Sequence, residues 1–218
     1  TKEGKMSKSR GNAVYPMDLI NKYGVDSVRY YLAKELPLGN DGLFSYERFI
    51  ERYNNELAND LGNLVSRTVS MVEKYFEGNV PHMLTSKTLF DDDLKNVATN
   101  AIAKTKENFE KFELQDAINE TWSLVRRVNK YIDETAPWVL AKDENKKSEL
   151  EATMANLIES LRVIAHLVSP YLVETAPKIL EAIGLANDGF NLSNLNYNVG
   201  TVTGKVCKIP ALFQRLDV

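Results

Sequence analysis

Apolar side chains recur every three or four positions through most of the chain. Between Ser45 and about Glu77 the series runs Phe49, Ile50, Tyr53, Leu57, Leu61, Leu64, Val65, Val69, Val72 and Phe76. That spacing lines up one stripe of an α-helix and predicts that the stripe is buried. Ser45 stands where an N-cap belongs, and Gly62 interrupts the run at a place where it can bend. A loop through Gly78, Pro81 and Thr85 leads to Asp91-Asp92-Asp93, three carboxylates suited to the positive end of a second helix that carries Leu94, Val97, Ala101, Thr105, Phe109 and Phe112. A third helix is predicted from about Leu114 to Glu134, with Ala117, Ile118, Trp122, Val125, Val128 and Ile132 inward. Pro137 then breaks the backbone ladder and redirects the chain just before Trp138. After a charged linker at Lys142 to Lys147, a fourth helix buries Leu150, Met154, Leu157, Ile158, Leu161 and Ile164, and a fifth runs from Pro170 to Gly184.

Upstream the pattern is shorter. Met17, Leu19, Ile20 and Tyr23 mark a helix from Pro16 that Gly24 stops, and Val28, Tyr31 and Leu32 mark another from Asp26. Pro37 to Asn40 breaks it, Asp41-Gly42 turns, and Leu43-Phe44 is extended. The expected fold is therefore mainly α: a small mixed α/β connector over residues 1–44, with a loop at its start, followed by an antiparallel helical bundle over 45–218. Beyond Asn187 the helical pattern fades into an extended tail, expected to pack back on the connector.

Composition narrows the function. The 218 residues carry a net charge of -3, which argues against indiscriminate nucleic-acid binding and makes any RNA contact a matter of a local basic face. No DNA partner is expected. No apolar run approaches bilayer length and the N-terminus lacks a secretion signal, so the expectation is a cytoplasmic protein without a membrane partner. Cys207 stands alone and His82 and His166 are far apart, so no metal site is expected.

Two constellations carry chemistry. In the first, Gly4-Lys5-Met6-Ser7-Lys8-Ser9-Arg10-Gly11-Asn12 sets two lysines and two hydroxyls between glycines. Lys5 and Lys8 suit the negative charge of phosphate oxygens, Ser7 and Ser9 supply donors, and Met6 is expected to anchor the loop in an apolar pocket. Without helical or strand periodicity, the segment reads as a lid. The alternative is a solvated Lys/Ser loop. In the second, Asn63 and Arg67 share one helix face a turn apart, so an amide and a guanidinium are positioned to read one nucleotide. Trp138 offers a stacking platform for an unstacked base, and Arg126, Arg127 and Lys130 a patch for phosphates. Each also has an ordinary reading: Arg67 paired with Glu73 or Asp60, Trp138 packed in a core, and the three cations on a wet face.

The Lys5 to Ser9 loop resembles the second signature of class I aminoacyl-tRNA synthetases. The run Asp60-Leu61-Gly62-Asn63-Leu64-Val65-Ser66-Arg67 and the later Ala136-Pro137-Trp138 are similar to the anticodon-reading elements of the methionyl-tRNA synthetase family. The resemblance extends from Gly4 nearly to Val218, with Gln214 where the family usually has proline. It implies that Lys5 and Lys8 are catalytic, that the Lys5 to Ser9 loop binds ATP, that residues 1–44 include a stem-contact fold, and that Asn63, Arg67 and Trp138 recognise the CAU anticodon of tRNA(Met). It implies ATP and Mg2+ as cofactors and methionine as substrate of a full enzyme whose catalytic domain would precede Thr1. The chain alone would then bind neither cofactor and activate no methionine. A cysteine, leucine, isoleucine or valine synthetase, or a non-catalytic helical RNA-binding module, would share the helical body.

Overall fold

The computed structural model describes residues 6, 9, 12–36, 39, 42–82, 84–186 and 189–217. Lys5, Ser7 and Lys8 therefore lie outside the described residues, and with them most of the lid expectation.

Helices dominate. Two short ones open the chain, α1 (Pro16–Tyr23) and α2 (Val25–Glu35), separated by Gly24 at φ 83°. The first long run is continuous but not uniform: α3 (Tyr46–Arg52) passes into a π-helical stretch, Tyr53–Gly62, and then into α4 (Asn63–Phe76). Ser45 caps it, its Oγ accepting from the Arg48 amide at 3.4 Å. Gly62 closes the π stretch rather than bending a plain α-helix. The hairpin of α5 (Asp91–Glu110) and α6 (Leu114–Thr135) follows, turning through Phe112 at φ 60°. Then come the four-residue α7 (Pro137–Leu140), the central α8 (Lys147–Val168) and α9 (Thr175–Ala182).

α8 is buried on nearly every side, from Leu150 to Val168, and the other bundle helices pack around it. A helix apolar all round belongs at the centre of a core. Its polar exceptions are partnered. The buried Glu159 carboxylate accepts from Arg162 at 2.7 and 2.9 Å and from the Asn198 amide at 2.6 Å, fastening the tail to the bundle.

Three expectations change. Among the described residues of 1–44 there is no strand: Phe44 turns its ring against Tyr31, with centroids 5.5 Å apart, and joins a small core with Leu19, Val28 and Phe49 instead of pairing its backbone. The fifth bundle helix begins at Thr175, not at Pro170. The buried Asp26 carboxylate fixes that start from across the molecule, accepting from the amides of Glu174 at 3.1 Å and Thr175 at 2.7 Å. A carboxylate at a helix N-terminus satisfies donors that have no partner within the helix.

The tail also takes another route. It crosses the bundle rather than the connector, because the π stretch and the helix ends present open backbone and side-chain partners. Val206 N donates to Gly78 O and Cys207 N to Ala182 O, both at 2.9 Å. Asn54 and Leu216 exchange two hydrogen bonds at 2.8 and 2.9 Å, and Tyr53 meets Phe213 edge to face at 5.7 Å.

At the crossing, Gly184 (φ +77°) lies so close to the Lys205 carbonyl that a β-carbon has no room. Gly184→Ala should cost about 2 kcal/mol or more, from left-handed strain plus the displaced tail. Urea denaturation tests this: the midpoint should fall at unchanged slope, and an unaltered midpoint would refute it.

Candidate nucleic-acid interface

Asn63 is exposed at the first turn of α4. Arg67, one turn on, leans toward α6, where its Nη2 meets Asp133 Oδ1 at 3.3 Å, so its partner is neither Glu73 nor Asp60. One turn back along α6, Asn129 donates to the Asp60 carbonyl at 3.0 Å. These two contacts run α6 alongside the first long helix, and the chain that leaves the end of α6 carries Trp138.

Its path is set by backbone chemistry. A residue before proline is disfavoured in the right-handed helical region, and Ala136 adopts φ 43°, ψ 63° instead. Such a conformation is uncommon outside glycine and persists only where surroundings dictate it. Pro137 then supplies the first position of α7, and Trp138 emerges 43% exposed. Its indole is not core; the core tryptophan is Trp122, which is fully buried. An amide, a guanidinium and an indole thus reach accessible surface on α4 and α7, which α6 links through Asp133 and through its C-terminal end.

The three expected phosphate cations do not form one patch. Arg126 is 59% exposed and turns toward the π stretch, reaching Glu56 at 3.4 Å and Asp60 at 3.5 Å. Arg127 is only 11% exposed, held between Asp93 at 2.6 Å and Glu134 at 3.0 Å. Lys130 reaches the same Glu134 at 3.3 Å but is 70% exposed. Adjacent residues on a helix point about 100° apart, which sends Arg126 and Arg127 to different neighbours. Arg127 is spent on α5, leaving Arg126 and Lys130 to face solvent. At the other end of the chain, Met6 is 39% exposed and belongs to neither apolar cluster, so the described structure gives it no pocket.

A charged seam between α2 and the bundle escaped the sequence pattern. The buried Glu56 carboxylate accepts from Tyr30 Oη at 2.5 Å, from Arg52 at 2.7 Å and from Arg126. Arg52 also grips Glu35, at the end of α2, at 2.7 Å, while Lys34 donates to Asn119 of α6. A cleft of about 440 Å³ opens over these groups. Burial and the Glu56 carboxylate push the Tyr30 hydroxyl well above its ordinary range; burial lowers the Lys34 ammonium and raises Asp60, whose Arg126 partner opposes the shift. The only advance sign was a carboxylate at position 56, close beside the apolar stripe of Tyr53, Leu57 and Leu61.

Residues 1–69 match the family described as tRNA synthetases class I (M), and residues 82–216 match the anticodon binding domain of methionyl tRNA ligase. The methionine–tRNA ligase of Enterococcus faecalis is 49% identical over 221 residues, covering 100% of this chain and 33% of that protein. The ligase of Caldanaerobacter subterraneus subsp. tengcongensis is 48% identical, covering 99% and 34%. Among solved structures, Mycobacterium tuberculosis methionyl-tRNA synthetase in complex with methionyl-adenylate superposes with a TM-score of 0.86 at 34% identity, covering 97% of this chain and 42% of that one. The chain thus spans about a third of the length of the curated relatives it matches.

Removing the Glu56 carboxylate leaves the buried Tyr30 hydroxyl without its acceptor, while Arg52 keeps Glu35 and Arg126 reaches solvent. Glu56→Ala should therefore lower unfolding stability by about 2 kcal/mol, whereas Arg126→Ala, at an exposed site, should lose under about 1 kcal/mol. Equal losses in denaturant titrations would show that Glu56 does not anchor the seam.

Proposed function

Because the chain belongs to the methionyl-tRNA ligase family, as its anticodon-domain match over residues 82–216 establishes, we propose that it is the tRNA-reading portion of a methionine–tRNA ligase. In that reading Asn63, Arg67 and Trp138 inspect the CAU triplet of tRNA(Met). The observation that carries it is the half-exposed indole of Trp138, set by the Ala136-Pro137 turn at the end of the same α6 whose Asp133 engages Arg67. Asn63 presents a donor and an acceptor to a base edge, Arg67 a planar fork, and Trp138 a ring face. Arg126 and Lys130 supply charge for the neighbouring phosphates. Arg127 is left out of that role, since two carboxylates already hold it.

The remaining assignments follow from the family. Lys5 and Lys8, with Ser7 and Ser9, would meet the phosphates of ATP during methionine adenylation. Two ammonium groups and two hydroxyls fit a polyphosphate by charge and donor type, and Mg2+ accompanying ATP would neutralise further phosphate charge. Residues 1–44 would form the connector toward the catalytic portion, and 45–218 the anticodon-binding domain. No helix of the described residues is long and apolar enough to cross a membrane. The 135-residue span from 82 to 216 that matches a methionyl-specific domain favours this reading over a cysteine, leucine, isoleucine or valine synthetase and over a non-catalytic RNA-binding module.

The test is equilibrium binding of this chain to tRNA transcripts that differ only in the CAU triplet. The CAU transcript should bind tightest, and Trp138→Ala should weaken it by about 1 to 3 kcal/mol, the range for loss of one stacked base. Indifference to the triplet would remove the assignment, and an unchanged affinity for the Trp138 variant would remove the indole from it.

A further inference from the structure

Beside Asn63, on the side of α4 away from α6, the tail from Lys208 to Leu212 leaves a groove of about 140 Å³. Gly62 is among its lining residues. Val69 and Leu212 line it with hydrocarbon, and Ser66, Ser70 and Lys208 line it with polar groups. Ser66, Ser70 and Lys208 are all exposed. Among the described residues, no hydrogen bond engages either serine hydroxyl and no carboxylate pairs with Lys208. At about 100° per residue, Asn63 sits mid-stripe on the solvent face of α4, with Arg67 to its α6 side and Ser66 to its tail side. The groove therefore lies on the side of Asn63 opposite Arg67.

We propose that this groove is a fourth nucleotide site: it takes the single-ring base of a nucleotide adjoining the triplet, with Lys208 at that nucleotide's phosphate. This rests on the tRNA reading given above. Size suits a single ring, because a cavity of about 150 Å³ holds one benzene ring. Chemistry suits one as well. The apolar walls receive the faces of a pyrimidine, the two hydroxyls each donate and accept toward its carbonyl and imino edge, and an unpaired ammonium at the mouth meets the backbone. The tail is then a wall of the reading site, and its fastening to Asn54 through Leu216 keeps that wall in place.

The experiment uses the 218-residue chain. Its wild type and its Ser66→Leu and Lys208→Ala variants are titrated with CAU transcripts in which each neighbour of the triplet in turn is set as a pyrimidine and then replaced by a purine. The wild type should lose about tenfold affinity on one of the two replacements. Ser66→Leu, which fills the groove, should lose about tenfold on the unmodified transcript and be indifferent to the replacement. Lys208→Ala, an exposed change that leaves the fold alone, should weaken binding and reduce the slope of log affinity against log salt by about 0.7, the value for one phosphate of a single strand. If CAU preference persists while both variants and both replacements bind like the originals, the groove proposal is overturned and the triplet reading stands. If the wild type shows no CAU preference, both fall together.

Discussion

One carboxylate holds α2, the first long helix and α6 in register. Glu56 sits below the surface of the π stretch, where a lone negative charge would be costly, and its surroundings consist of groups that need such a charge: a phenol from α2, a guanidinium from the preceding turn and another from α6. Each partner comes from a different element, so the connector helix, the first long helix and the α5–α6 hairpin meet at a single anion. Hydrophobic contact alone is tolerant of small slides between helices, whereas a buried carboxylate with several directional donors is not.

The π-helical geometry belongs to the same arrangement. A wider turn moves successive side chains out of strict α register, and such insertions are common at working surfaces of helices. Here the stretch Tyr53–Gly62 serves three neighbours: Tyr53 and Asn54 bind the tail, Glu56 binds the seam, and the Asp60 carbonyl receives Asn129. Immediately after it, regular α-geometry resumes at Asn63, so the residues proposed to touch RNA stand on a rigid helix whose origin is fixed from three directions.

Much of this was legible in the sequence, and the reason is locality. The stripe from Phe49 to Phe76, the i to i+4 relation of Asn63 and Arg67, and the break at Pro137 depend on residues within a few turns of one another, and periodicity reports such relations directly. What was not legible depends on distant pairs. Nothing near Arg67 announces Asp133, since the two are 66 positions apart. Asp26 read as the start of its own helix and proved to cap α9. The cationic trio looked like one patch because only spacing was visible; the acids of other helices divide it. The tail lacked any period, so its route over Gly184 and Gly62 had to come from the shape of the bundle itself.

The turn at Ala136 has a further bearing on recognition. The main-chain torsions at Ala136 and the Pro137 ring set where the Cα–Cβ bond of Trp138 points, so the indole turns only about its two side-chain bonds. In the proposed reading a visiting base meets a ring whose point of attachment is already placed, and only those two rotations remain to be surrendered on docking. Discrimination then hinges on the visitor's willingness to leave its own stack, a property of the RNA loop more than of the protein.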